Sequence, residues 1–271
     1  TVVTGTLWSG TLHPGDVLEV LPAGRQVRVR GLQVHGETVR AASAGSRVAV
    51  NVSGVEKHEV ERGDVLATPG VFRPTTRLDV RLRLLPDAPA LRHALPVHVH
   101  LGSGVTVGRV SIAAGTVLAP GSEALASMRL ERPVVAVHGD RFVIRRYSPT
   151  QTLGGGTVLR AVVPRRERRT ERLALLDAVE HTGPAALVVA AVAGRGPAGM
   201  PPEDLAAAAG LTPAAAAAGL EQAQAQGMVV TLAGRLVAAQ VTAHMRQTIE
   251  AALDEYHRTA PWRRGLPREE L

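Results

Sequence analysis

Arginine is the residue type in this sequence with the clearest capacity for chemistry. Arg145, Arg146 and Arg160 stand near the end of a strand-rich segment, and an arginine run follows at 165–172. A planar guanidinium pairs with phosphate through two parallel hydrogen bonds, and proteins that recognise structured RNA by its shape depend on such contacts. The sequence therefore favours an RNA-facing surface, with a solvated linker as an equally good explanation of the run at 165–172.

The charge balance is compatible with this interpretation. The 271 residues include 31 basic and 24 acidic side chains, which gives a net charge of +7, and every basic residue except Lys57 is an arginine. Such a surplus favours an anionic partner such as nucleic acid. A solvated basic surface is the alternative.

No convincing catalytic or metal-binding set accompanies the arginines. A phosphate-binding P-loop needs a lysine after glycine and before a hydroxyl residue, but Lys57 stands between Glu56 and His58. His98 and His100 share one face of a strand without a third ligand at suitable spacing, so we interpret them as surface or RNA-facing histidines. The absence of cysteine excludes disulfides and thiolate-bound zinc.

Glycine and aromatic residues also fail to indicate a cofactor site. The run Gly154–Gly156 is a poor match to a dinucleotide-binding fingerprint, and we interpret it as a tight turn. Trp8, Phe72, Phe142 and Trp262 are scattered along the chain, which argues against an aromatic platform for base stacking.

The elements that must position these residues change in type near Pro164. Before it, runs of alternating apolar residues are separated by Gly, Pro and Asp turns, which predicts strands with one buried face. Because 45% of the residues are hydrophobic and only 2% aromatic, the core must consist of Val, Leu, Ile and Ala. Pro69, Gly70 and Pro74 mark a boundary. We therefore predict two β-barrels, at 1–72 and 73–163, the second ending in a strand at 157–163.

After Pro164 the sequence becomes rich in alanine and predicts helices. They fall at about 170–181, 184–193, 201–210 and 212–227, followed by a hairpin that turns at Ala233-Gly234 and a long helix from about 242. This order is typical of a winged helix. The predicted fold class is mainly β and then α, with a first winged helix at 164–241 and the truncated start of a second at 242–271. The fourth helix has no basic residue, which predicts a packing role rather than groove reading.

The sequence contains no candidate for membrane insertion or secretion. Its longest strongly apolar stretch, Ala185–Ala193, is far shorter than the roughly 20 residues that cross a bilayer. No signal peptide opens the chain. We expect a cytoplasmic protein without a membrane partner, and both chain ends look like fragment ends.

Several motifs occur in the order found in translational GTPases of the elongation factor Tu type. The resemblance to their second domain rests on residues 1–6 (TVVTGT), 15–16 (GD), 27–30 (VRVR), 44–51 (AGSRVAVN) and 62–66 (RGDVL). Residues 141–145 and 152–156 resemble the end of the third domain. The continuation after Pro164, with residues 96–100 and 108–111, resembles the bacterial selenocysteine-specific elongation factors, so the resemblance covers essentially the whole chain.

This resemblance implies translational-GTPase-type domains II and III followed by a winged-helix region. The intact protein is expected to bind GTP and Mg in an upstream GTPase domain, so this chain would hold no cofactor and would not be an enzyme by itself. The implied partners are selenocysteinyl-tRNA, the ribosome at UGA codons, and an mRNA hairpin bound by distal winged helices outside this chain. A monomer is expected.

The resemblance also implies binding residues. Arg47 is similar in position to a pocket arginine of the selenocysteine-specific factors that accepts the selenocysteine. A selenol ionises below neutral pH, so a guanidinium would select it over neutral serine, although an arginine on a barrel rim is the alternative. In the third domain the residues expected to face tRNA are Arg109, Arg145, Arg146, Gln151 and Thr152.

Two other functions compete with this interpretation. Another elongation-factor-Tu-like translation factor would share both barrels, but the sequence after Pro164 weighs against it. A DNA-binding regulator would use the helix-turn-helix, but the alanine-rich fourth helix weighs against that.

Overall fold

The N-terminal strands follow the alternation of the sequence. In a computed structural model, which describes residues 1–259, they are β1 (Val2–Thr6), β2 (Thr11–Leu12), β3 (Val17–Leu21), β4 (Arg25–Val34), β5 (Glu37–Val39), β6 (Ala42–Ser43), β7 (Arg47–Ser53) and β8 (Val65–Ala67). Within residues 1–67 an antiparallel sheet runs in the order β1-β7-β4-β3-β8, with β5 beside β4, and β2 pairs with β6. In β4, Val27 and Val29 are buried whereas Arg28 and Arg30 are exposed, so one side of the strand builds the core.

The second group of strands forms a closed barrel. The strands are β9 (Thr75–Leu84), β10 (Leu91–Arg92), β11 (Pro96–Leu101), β12 (Gly104–Ile112), β13 (Val117–Leu118), β14 (Glu123–Val134), β15 (Arg141–Arg146) and β16 (Thr152–Arg160). Within residues 75–160 the barrel closes in the order β11-β12-β14-β9-β16-β15. Leu78, Val80 and Leu82 are fully buried in its core, with Phe142 packed among them. The predicted core of Val, Leu, Ile and Ala is therefore found, with Met128 and Phe142 in addition.

The glycine run Gly154–Gly156 lies inside β16, so its interpretation as a turn was wrong. β16 pairs with β15 on one side and with β9 on the other. A Cβ atom on Gly154 would meet the carbonyl oxygen of Arg83, and one on Gly156 would meet that of Arg81. Glycine lets β16 approach its neighbours closely enough to close the barrel. The last strand accordingly covers 152–160 instead of 157–163.

A contact between two glycines joins the two β-domains. A Cβ atom on Gly63, in the turn before β8, would lie 2.6 Å from the Cα atom of Gly104, the first residue of β12. Beside this contact, the Nε of Arg62 donates a hydrogen bond to the carbonyl oxygen of Ser103 at 3.0 Å. Arg62 of the first domain is thereby held at the hairpin between β11 and β12.

Arg160 has a structural role, which corrects its interpretation as a phosphate-binding candidate. It is only 7% exposed, and one of its nitrogens donates to both carboxylate oxygens of Glu167 at 2.8 and 2.9 Å. Its Nε donates to the carbonyl oxygen of Val162 at 3.0 Å, and the buried carboxylate of Asp79 lies 4.0 Å away. A guanidinium that is buried and paired inside the protein has no free edge for RNA.

The chain from Arg168 onward forms a second compact unit, except that residues 210–212 group with the barrels. Its elements are α1 (Arg169–Thr182), α2 (Pro184–Ala193), α3 (Leu205–Ala209), α4 (Pro213–Ala225), β17 (Val229–Leu232), β18 (Arg235–Ala238) and α5 (Ala239–Thr259). The predicted order of helices and hairpin is found, with the hairpin turning at Ala233-Gly234. Within residues 1–259 no helix is long and apolar enough to cross a membrane. Trp262 and the rest of the predicted second winged helix after residue 259 lie outside the described residues.

Helix α4 packs through small side chains. Its buried positions are Ala216, Gly219 and Ala223, which lie on one face of the helix. A Cβ atom on Gly219 would lie 3.0 Å from the carbonyl carbon of Pro184, the first residue of α2. The remaining positions of α4 carry no basic side chain, which agrees with the predicted packing role.

Candidate nucleic-acid interface

The outer sides of β11, β12 and β15 form one surface on the closed barrel. β11 lies between the other two strands, so His98 is paired with Val107 on β12 and with Arg145 on β15. Directly paired residues of neighbouring strands point to the same side of a sheet. The side chains on this surface, which we call the β11 face, are those of Pro96, His98, His100, Val105, Val107, Arg109, Val143 and Arg145.

An aromatic pair stands on the β11 face. The rings of His98 and Tyr147 are stacked, with 4.6 Å between their centroids and 10° between their planes. Tyr147 directly follows β15 and is 60% exposed. The Trp and Phe residues scattered along the chain gave no indication of this pair. The available signal was a tyrosine that follows Arg145 and Arg146 at the end of a strand.

The β11 face is basic. Arg145 is half-buried, and its Nε has no hydrogen-bond partner in the part of the chain that the structure describes. Burial, followed by the charges of Arg145, His98 and Arg62, lowers the pKa of His100, so His100 is neutral at pH 7 while the guanidinium groups keep their charge. β11, β12 and β15 contain no acidic residue within their described bounds. Among residues 1–259 there is also no group of three or more His, Asp or Glu side chains that could hold a metal ion.

Four of the five residues predicted to face tRNA meet in one hairpin. Arg145 and Arg146 end β15, and Gln151 and Thr152 lie where β16 begins. The backbone N–H of Arg146 donates to the carbonyl oxygen of Gln151 at 2.7 Å, and Arg145 is paired with Thr152. The fifth, Arg109, is exposed on β12, on the far side of β11, where its guanidinium lies 3.4 Å from a backbone carbonyl oxygen.

Arg47 lies in the first domain, apart from this hairpin. It is the first residue of β7 and is paired with Thr6 of β1. The preceding turn is fixed to the loop after β1, because the N–H of Leu7 donates to the carbonyl oxygen of Ser46 at 2.9 Å. The same loop presents Trp8, which is 71% exposed. Arg47 is exposed and has no ion-pair partner among the described residues.

Comparisons with known proteins agree with this architecture. Residues 1–67 match the family described as elongation factor Tu domain 2, and residues 75–165 match the β-barrel domain of the selenocysteine-specific elongation factor. The selenocysteine-specific elongation factor of Desulfomicrobium baculatum is 36% identical over 290 residues, which cover all of this chain and 43% of that protein. Elongation factor Tu 2 of Streptomyces avermitilis is 33% identical over 164 residues, which cover 58% of this chain and 41% of that protein.

The solved structures include a relative that matches almost the entire chain. The crystal structure of a bacterial selenocysteine-specific elongation factor superposes with a TM-score of 0.70 and 25% identity, and covers 99% of this chain and 41% of that one. This chain therefore spans less than half the length of the relatives that it matches. The two β-domains define the class, a translation elongation factor with Tu-type barrels. Because the match continues through the helical unit, the chain belongs to the selenocysteine-specific elongation factor family.

Proposed function

We propose that this chain is the tRNA-binding part of a factor that carries selenocysteinyl-tRNA to the ribosome at UGA codons. The observation that carries the proposal is the similarity to a selenocysteine-specific elongation factor over the whole chain. The match to elongation factor Tu 2 covers 58% of the chain, so a general Tu-like factor is the second candidate.

Arg47 is proposed to bind the aminoacyl group. It is exposed on the first domain and carries a charge that no acidic side chain among the described residues neutralises. A selenolate is an anion and accepts a charge-assisted hydrogen bond from a guanidinium, whereas the hydroxyl of serine is neutral. Arg47 would therefore distinguish the two aminoacyl groups by charge.

The hairpin β15–β16 and Arg109 are proposed to contact the tRNA body. Arg145 and Arg146 supply positive charge, while Gln151 and Thr152 supply neutral hydrogen-bonding groups beside them. Such contacts recognise an A-form RNA helix by its phosphates and 2′-hydroxyl groups. Binding through them is expected to weaken as salt is raised.

Other functions of the whole protein are proposed to lie outside these residues. GTP and Mg would be bound by its GTPase domain, and we expect residues 1–271 to hydrolyse no GTP because they contain no P-loop. An mRNA hairpin would be bound by further winged helices, since α4 exposes no basic residue. The factor would act as a monomer in the cytoplasm.

The test is a comparison of selenocysteinyl-tRNA with seryl-tRNA of the same body, using the full-length factor with GTP. The wild type should prefer selenocysteinyl-tRNA, and Arg47→Ala should reduce that preference about tenfold or more, because hydrogen bonds to charged groups are worth about 1.5–3 kcal/mol. Arg40→Ala, which removes an exposed arginine elsewhere in the same domain, should keep the preference. If the wild type binds both charged forms equally, the general Tu-like factor is the better assignment.

A further inference from the structure

We propose that the stacked pair His98–Tyr147 and Arg145 form a binding site for an unpaired nucleotide, whose base stacks on Tyr147 and whose phosphate pairs with Arg145. The site rests on the proposed function in one respect, namely that the partner is RNA. It adds a different kind of recognition from the backbone contacts proposed above, because it requires a base that is not stacked in a helix.

The geometry of the aromatic pair supports a platform. One face of the Tyr147 ring covers His98 at a centroid distance of 4.6 Å and an angle of 10°. Since Tyr147 nevertheless remains 60% exposed, its opposite face is open to solvent. His98 lies in the middle strand of the face, where pairing to Val107 and Arg145 fixes its backbone on both sides. Tyr147 therefore rests on a rigid support.

The surroundings of the pair suit a nucleotide. Arg145 is paired with His98 across the strands and is half-buried, so its positive charge lies beside the aromatic pair. Val105 and Val143, which are both paired with His100 on the same face, are 39% and 42% exposed. A positive charge, an open ring and a small apolar surface thus lie together, as a phosphate, a base and a ribose would require.

An unpaired nucleotide fits this surface better than duplex RNA or an acidic peptide. Inside a duplex each base is stacked between its neighbours, so only the two end pairs offer a base face to a protein ring. An acidic peptide would use the arginine but would gain little from an open aromatic face. Aromatic side chains stack on exposed bases with little regard to sequence.

The experiment measures binding of the 271-residue chain to a short labelled oligouridylate, whose bases hardly stack on one another, and to a blunt RNA duplex of equal length. Tyr147→Ala should weaken binding of the single strand about tenfold, because stacking is worth roughly 1–3 kcal/mol per base, and should change duplex binding less than about twofold. Tyr147→Phe should retain single-strand binding. With 2-aminopurine in the strand, the wild type should quench its fluorescence on binding and Tyr147→Ala should not.

Matched variants separate stacking from charge and from damage to the fold. Tyr256→Ala removes a tyrosine on α5 whose ring is tilted by 59° against its neighbouring histidine, and should leave both affinities unchanged. Arg145→Ala should weaken both RNAs and reduce the salt dependence by about one phosphate contact, whereas Arg141→Ala, at the opposite end of β15, should have a smaller effect. Thermal unfolding of each variant checks the fold.

Two results would overturn the proposal. One is an equal effect of Tyr147→Ala on both RNAs, and the other is no effect on either. Both would leave the proposed function intact, because the preference for selenocysteinyl-tRNA and its dependence on Arg47 are measured separately. Loss of that preference alone would contradict the proposed function and not the nucleotide site.

Discussion

At the scale of single residues, arginines of the same type have different roles because their surroundings differ. Arg160 is buried and paired with Glu167, Arg145 is half-buried on the β11 face, and Arg47 is exposed on a strand end. The sequence placed Arg145 and Arg160 in one group because both lie near the end of the barrel. Only the tertiary structure distinguishes the two arginines, because the segment after β16 brings the carboxylate of Glu167 to Arg160 and not to Arg145.

Removal of the buried arginine should destabilise the barrel. Arg160→Ala would remove the cation that pairs with Glu167 and lies 4.0 Å from the carboxylate of Asp79, and breaking a buried ion pair costs about 3–5 kcal/mol. Urea unfolding followed by circular dichroism would measure the loss. Arg166→Ala, which removes an exposed neighbour, should change stability by less than about 0.5 kcal/mol; a similar small effect of Arg160→Ala would contradict the structural role.

The histidine on the β11 face should make stability depend on pH. Burial and the charges of Arg145, His98 and Arg62 lower the pKa of His100 below its ordinary value of 6.5. The unfolded chain then binds a proton at a higher pH than the folded chain, so stability is lost as the pH falls through 6.5. His100→Gln should remove part of this loss in urea titrations between neutral and mildly acidic pH, whereas His93→Gln, at an exposed site, is the matched control. An unchanged pH dependence in His100→Gln would contradict the assignment.

At the scale of elements, the closed barrel depends on a strand with three consecutive glycines. The sequence predicted a β-barrel over residues 73–163, because apolar alternation indicates strands with one buried face. It misplaced β16, because glycine is also the usual residue of turns. What distinguishes the two roles is the presence of a neighbouring strand on each side, which is a property of the closed sheet and not of the local sequence.

A side chain added to the glycine run of β16 should destabilise the barrel. Gly154→Ala would push a methyl group against the carbonyl oxygen of Arg83, with the Cα atom of Leu84 at 2.9 Å, and we expect a loss of about 3 kcal/mol from overpacking. Gly5→Ala is the control, since that glycine lies in a strand and has no heavy atom within 4 Å of the added group. Equal melting temperatures of the two variants would contradict the role of β16.

At the scale of the whole molecule, the two β-domains are in contact through the backbone atoms of two glycines. Gly63 has a φ of 105° and lies against Gly104 of the second barrel. The sequence predicts a glycine turn at this position, but nothing local indicates that a second domain lies against it. The contact also brings Arg62 to the β11 face, so the charge of the candidate interface comes from two domains.

A methyl group added at Gly63 should destabilise the contact between the two β-domains. Gly63→Ala combines a strained φ with a contact of 2.6 Å, whereas Gly70→Ala has a φ of 78° and an open surrounding. Both variants should lose about 1–2 kcal/mol from backbone strain, and Gly63→Ala should lose about 1–3 kcal/mol more from overpacking. Differential scanning calorimetry measures the difference between them. Equal destabilisation would show that the glycine contact contributes nothing beyond the turn itself.

The sequence by itself determined the order of the elements, the aliphatic core, the change from β to α near Pro164 and the family, because each depends on local periodicity or on motifs in a fixed order. Tertiary structure alone decided that Arg145, His98 and Tyr147 share one surface, that Arg62 joins them from another domain, and that Arg160 does not. The physical reason is that strand register and barrel closure bring together side chains that are far apart in the chain, and no local pattern encodes those pairings.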